Sequence, residues 1–144
     1  AILRLDGAPV AEEELAPVLA EIAARGPDGT AILTNGAAAL GHALLATTPE
    51  AAIESMPLRH PESGCIITAD VRLDNREELL AALGIDTAGR VIGDGELILA
   101  AYRKWGMDCP EHLLGDFAFV IWDARAQRLF AARDKAGMRQ LTHY

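Results

Sequence analysis

The sequence predicts an α+β layered domain, on three observations. An Asn35-Gly36 pair separates two β-like stretches, Thr30 to Thr34 and Ala38 to Leu45, which is a strong hairpin signal. Two further β-like stretches, Phe117 to Trp122 and Arg128 to Ala132, flank a short polar connection of residues 123–127. Two stretches between and before these hairpins carry apolar residues at helical spacing. Strands grouped in antiparallel hairpins around helices argue against alternating βαβ units.

Taken in order, Ile2 to Leu5 reads as a strand start, broken by Asp6-Gly7 and Pro9. Ala11 to Ala24 places Leu15, Val18, Leu19 and Ile22 on one helical stripe, with Glu12, Glu13 and Glu14 in the first turn, where negative charge suits the helix dipole. Pro17 requires that this helix either start late or kink. Thr47 to Ser63, rich in Pro, Thr, Ser and Glu, reads as a long surface loop. Cys65 to Val71 is a compact apolar strand, and Asp74 with Glu77 resembles a capping box for a helix reaching Leu83 and ended by Gly84. Asp94 then opens a second helix as its N-cap. That helix turns Leu97, Ile98, Ala101, Tyr102 and Trp105 inwards and stops at Gly106.

Length and composition bound the function. The chain of 144 residues is one domain by size, residues 1–144, long enough to bury a sizeable core. Hydrophobic residues make up 51% and charged residues 24%, a globular balance, and no apolar run is long enough to span a bilayer. A net charge of -8 and the lack of a basic stripe argue against nucleic acid and against an anionic membrane surface. Cys65 and Cys109 give no disulfide framework and read as free thiols, and no leader precedes the first strand, so the expected location is the cytoplasm.

Isolated motifs carry little chemistry. His42, His60, His112 and His143 are dispersed and make no metal site. The glycines of Arg25-Gly-Pro-Asp-Gly29 are too few and wrongly spaced for a phosphate cradle, and Ser63-Gly-Cys65 lacks the second glycine of a nucleophile elbow.

In combination the motifs say more. Gly115-Asp-Phe-Ala-Phe-Val-Ile-Trp-Asp123, then Arg133-Asp134 and Gly137, with Arg25-Gly-Pro-Asp-Gly29, Leu40-Gly-His42, Asp94-Gly-Glu96 and Trp105-Gly106 in the same order, span nearly the whole chain. This pattern resembles the class II glutamine amidotransferase domain of asparagine-synthetase-related proteins. The resemblance implies a four-layer αββα sandwich of antiparallel sheets, the N-terminal-nucleophile hydrolase fold. In that family a first-residue cysteine attacks the glutamine amide, its own amine serves as base, and amide donors stabilise the oxyanion.

Carried over residue by residue, the resemblance implies a vestigial pocket with no catalytic residue among these positions. Its expected nucleophile lies a few residues upstream of Ala1. Leu44 stands where an arginine would hold the substrate carboxylate, with Ala43 beside it. Asp70, Val71 and Arg72 stand where Asn-Gly-Glu would supply oxyanion donors and a substrate contact. Asp94 alone matches, at the position that contacts the substrate α-amino group. An aspartate at a helix start satisfies helix amides in any protein, so its N-cap role comes first.

Ile67-Thr-Ala-Asp-Val-Arg-Leu-Asp-Asn-Arg76 with Thr47-Thr-Pro-Glu50 looks most similar to the asparagine-synthetase-like cyclases of lasso-peptide biosynthesis. There the peptide's own amino terminus replaces ammonia, and a glutaminase domain is free to decay into a scaffold. The resemblance therefore implies a non-catalytic part of an ATP-dependent carbon–nitrogen ligase. No cofactor is expected in this domain; ATP and Mg belong to the synthetase domain, with that domain and a precursor peptide as partners. Two alternatives stand beside it: an active glutaminase lacking its first residues and supplying ammonia for asparagine synthesis, and a peptide- or partner-binding module using the old pocket.

Overall fold

The computed structural model describes residues 1–144. Seven strands and four α-helices follow one another in the order β1 (Ile2–Leu3), α1 (Glu12–Ile22), β2 (Gly29–Asn35), β3 (Ala38–Leu44), α2 (Pro49–Ile53), β4 (Leu58–Arg59), β5 (Ile66–Leu73), α3 (Arg76–Leu83), α4 (Asp94–Trp105), β6 (Gly115–Asp123) and β7 (Arg128–Arg133). A three-stranded sheet has the order β1-β3-β2 and a four-stranded sheet the order β4-β5-β6-β7, both antiparallel.

The layers follow from which residues each face presents. Side chains alternate along a strand, so β3 and β5 each bury two faces. Ala38 and Leu40 of β3 meet Ile66 and Trp122 of the other sheet in a cluster between the sheets. On the outer side of the first sheet, Ala39 packs with Leu15 of α1 and Val10. On the outer side of the second, Ile67, Ala69, Leu73, Phe117, Phe119 and Ile121 pack with Leu97, Ile98 and Ala101 of α4 and Leu79 of α3. The result is the αββα sandwich that the family resemblance implies, with its largest core between the second sheet and the helices.

Several elements differ locally from the expectation. The β2–β3 turn is Gly36-Ala37, because Asn35 still pairs with Ala38; Gly36 takes the positive φ of 61° that the turn needs. Helix α1 starts at Glu12, so Pro17 lies in its second turn, where it forfeits one bond to the preceding turn. Asp74 does not cap α3: Asn75 occupies the N-cap position without a side-chain cap bond, and Asp74 instead meets Arg72 at 3.2 Å. The loop of residues 47–63 contains α2 and β4, with the Thr48 hydroxyl accepting the Ala51 N–H at 3.1 Å as a true N-cap. Cys65 and Cys109 are both buried and unbonded to each other.

Candidate functional site

One end of the space between the sheets collects most of the polar residues singled out above. On β3, His42 and Leu44 share the inward face of Leu40; on β5, Thr68, Asp70 and Arg72 share that of Ile66. The two strands are joined across this space by side chains. The Thr68 hydroxyl donates to the Gly41 carbonyl at 3.1 Å, which leaves its lone pair to accept the N–H of His42 Nδ1 at 3.3 Å. That pattern assigns the Nδ1–H tautomer and leaves Nε2 without a proton. Burial lowers the His42 pKa, against the pull of the Asp70 carboxylate, so the ring is neutral at pH 7.

Three of the expected positions, Leu44, Asp70 and Arg72, therefore lie on the inward faces of β3 and β5. Leu44 is half-buried and offers no hydrogen-bond donor to a carboxylate. Asp70 presents an anion, met at 3.4 Å by Arg139 from the segment after β7. Arg72 is turned to Asp74 at 3.2 Å and Asp116 at 3.5 Å. Val71, by contrast, lies on the opposite face of β5 and packs against the helix-side core.

Asp94 is not an N-cap. Gly93 holds that position without a side-chain bond, and Asp94 is the first helical residue, 5% exposed. Its carboxylate accepts the Leu73 N–H at 3.0 Å and forms an ion pair with Arg76. The Arg76 guanidinium also donates to the Ile92 carbonyl and lies 3.9 Å from Glu50 of α2. Sequence reasoning missed Arg76, since an arginine in the first turn of a polar helix reads as solvent-facing and nothing in its neighbourhood marks a partner 18 positions away.

The segment carrying α2 is fastened over the start of α4. The Glu54 carboxylate accepts the N–H groups of Gly95 at 3.0 Å and Glu96 at 2.9 Å, donors that a helix start leaves unpaired. Burial raises the Glu54 pKa, and these two bonds restrain the rise. A Cβ on Gly95 would lie 1.8 Å from the Met56 methyl, so the glycine in Asp94-Gly-Glu96 makes room for the buried Met56. No group of three or more His, Cys, Asp or Glu side chains is placed to hold a metal ion.

The sequence profile of the glutamine amidotransferase domain matches residues 3–144. The chain belongs to that family. This amidotransferase-family chain is 34% identical over 131 residues to the amidase chry2 of Gibberella zeae, covering 90% of this chain and 20% of that protein. It is 34% identical over 119 residues to asparagine synthetase [glutamine-hydrolyzing] 3 of Bacillus subtilis, covering 80% and 19% respectively. A putative asparagine synthetase [glutamine-hydrolyzing] of Mycobacterium tuberculosis is 44% identical over 69 residues, 48% of this chain and 10% of that protein. The amidotransferase-family chain thus spans about one fifth of the length of the first curated relatives it matches. No helix is long and apolar enough to cross a membrane.

Proposed function

We propose that these residues form the glutaminase-related portion of an ATP-dependent amide-forming ligase of the asparagine synthetase family, in which the old pocket serves as a scaffold instead of releasing ammonia. The observation that supports this reading is that the inward faces of β3 and β5 carry an apolar Leu44 and an Asp70 carboxylate already met by Arg139. A site built to hold a free α-carboxylate and to stabilise an oxyanion needs cations and neutral donors at those places. The lasso-peptide cyclase type fits best, because a peptide amine would replace ammonia and remove the need for the glutaminase. The partners would be a synthetase domain, which supplies ATP and Mg chemistry, and a precursor peptide.

A second reading is a glutaminase whose nucleophile lies outside residues 1–144. It is favoured by the relatives whose printed names include glutamine hydrolysis. One comparison separates the two. In the longer protein that carries these residues, nucleotide consumption should depend on a peptide bearing a side-chain carboxylate and a free amino terminus, with no dependence on glutamine. Ammonia released from glutamine above the no-protein rate would overturn the scaffold reading and install the second.

A further inference from the structure

The turn of residues 60–64, between β4 and β5, is fastened to three other parts of the chain. Its Gly64 carbonyl accepts from the Asn35 side-chain amide, at the end of β2, at 3.2 Å. Its Glu62 carbonyl accepts from Arg125 of the β6–β7 turn at 2.8 Å, and the Glu62 carboxylate accepts from Arg103 of α4 at 3.0 Å. Both sheets and α4 therefore meet at one small turn.

His60 stands among these contacts with each ring nitrogen facing a donor. The Ser63 N–H donates to Nδ1 at 3.2 Å, and the Arg103 guanidinium donates to Nε2 at 2.7 Å. A guanidinium offers only hydrogens, so Nε2 must present its lone pair. The neutral ring does this with its proton on Nδ1, which leaves Ser63 the weaker contact. An imidazolium carries a hydrogen on both nitrogens and accepts from neither donor. Burial first, and then the Arg103 charge, oppose the imidazolium; Glu62 of the turn and Glu96 of α4 favour it. The neighbouring Arg59 is turned away, donating to the Thr34 carbonyl at 3.0 Å, and Arg125 is held by the Glu62 carbonyl.

We propose that residues 60–64 form an acid-released clasp, in which neutral His60 accepts Arg103 and keeps the turn on α4, and a proton on the ring expels Arg103 and frees the turn. The apolar cluster of Ala38, Leu40, Ile66 and Trp122 does not titrate, so the sheets stay packed and the opening is local. The clasp stands apart from the inward faces of β3 and β5, and it holds whether or not glutamine is hydrolysed.

Hydrogen–deuterium exchange tests this in the longer protein that carries these residues, read by mass spectrometry from about pH 7.5 to about pH 5 and corrected for intrinsic rates. Protection of residues 60–65 should fall roughly three- to tenfold towards acid, the size of one hydrogen bond's net contribution, while the core of β5 and β6 stays protected. The midpoint should lie below the ordinary histidine value, near 6.5, as burial and Arg103 require. In His60→Gln the side-chain oxygen still accepts from Arg103 but does not titrate, so protection should stay high throughout. Arg103→Met leaves nothing to expel and should show the low, acid level already at neutral pH. A flat profile in wild type, a fall in His60→Gln as large as in wild type, or an undiminished pH response in Arg103→Met would overturn the clasp.

Discussion

The Asp134 carboxylate accepts the backbone N–H of Met138 at 2.9 Å, and its second oxygen accepts that of Arg139 at 3.1 Å. Through these bonds the residue just after β7 turns the following segment back along the sheet and sets Arg139 against Asp70. The Met138 N–H is the main reason that the Asp134 pKa lies below its ordinary value, with burial opposing it.

A depressed carboxyl pKa gives stability that is present above the unfolded-state value, near 3.9, and that is lost as pH falls through the folded-state value. Asp134→Asn should therefore be less stable than wild type at pH 7, by a margin that shrinks as the pH drops below about 4. Urea midpoints of the two proteins across that range check it. A margin independent of pH would show that the carboxylate charge plays no part in holding the segment.

Glu54 has the opposite sign. Its folded-state pKa is raised by burial, so its contribution is fully present below the unfolded value, near 4.3, and is lost as pH rises through the folded value. The stability advantage of wild type over Glu54→Gln should be larger at pH 4 than at pH 7. An advantage that grows with pH would mean that the helix-start N–H bonds outweigh burial.

Two aromatic truncations should differ in size. Phe119 is 1% exposed and sits between Phe117 and Phe130, with ring centroids 5.8 Å from each. Phe119→Ala should cost about 3–5 kcal/mol in transfer energy and cavity formation. Trp105 is only half-buried and stacks on His112 at 4.0 Å, so Trp105→Ala should cost less. Denaturant unfolding ranks the pair, and a Trp105 effect equal to that of Phe119 would contradict its peripheral position.

Gly115 has φ of 144°, and a Cβ there would lie 2.0 Å from the Arg72 carbonyl oxygen across the β5–β6 ladder. Gly115→Ala must therefore strain its backbone and push the two strands apart at the point where Arg72 meets Asp116. A loss of stability of at least about 1–3 kcal/mol is expected from the conformational strain alone. Unfolding equilibria comparable to wild type would mean that the strands can separate there without cost.

What the sequence made legible divides along the range of the interaction. Helix α4 ends at Gly106 and α3 at Gly84, both with positive φ, because a helix stop is written in the residue that performs it. The β6–β7 hairpin was likewise visible in its local alternation. Asp94 was misread as a cap for the complementary reason. An aspartate at a helix start has a local role ready, and nothing nearby reveals that Leu73 and Arg76 claim its oxygens instead. The short helix within residues 47–63 was hidden similarly: Thr48 and Pro49 look like loop residues until Glu54 is seen anchored to α4. On the inward faces of β3 and β5, the identities of Leu44, Asp70 and Arg72 were readable, whereas the turning of Val71 to the other face follows from strand alternation that a family match alone does not report.

The two buried thiols give this molecule an internal clock. Cys65 is at 3% exposure beside β5 and Cys109 at 0% behind α4, and burial pushes the Cys109 pKa up to about 12. A thiol held out of solvent does not react with an alkylating reagent until the layer above it opens. Labelling of either thiol therefore marks an opening of the layer that covers it, and its rate reads how often that part of the largest core comes apart under native conditions.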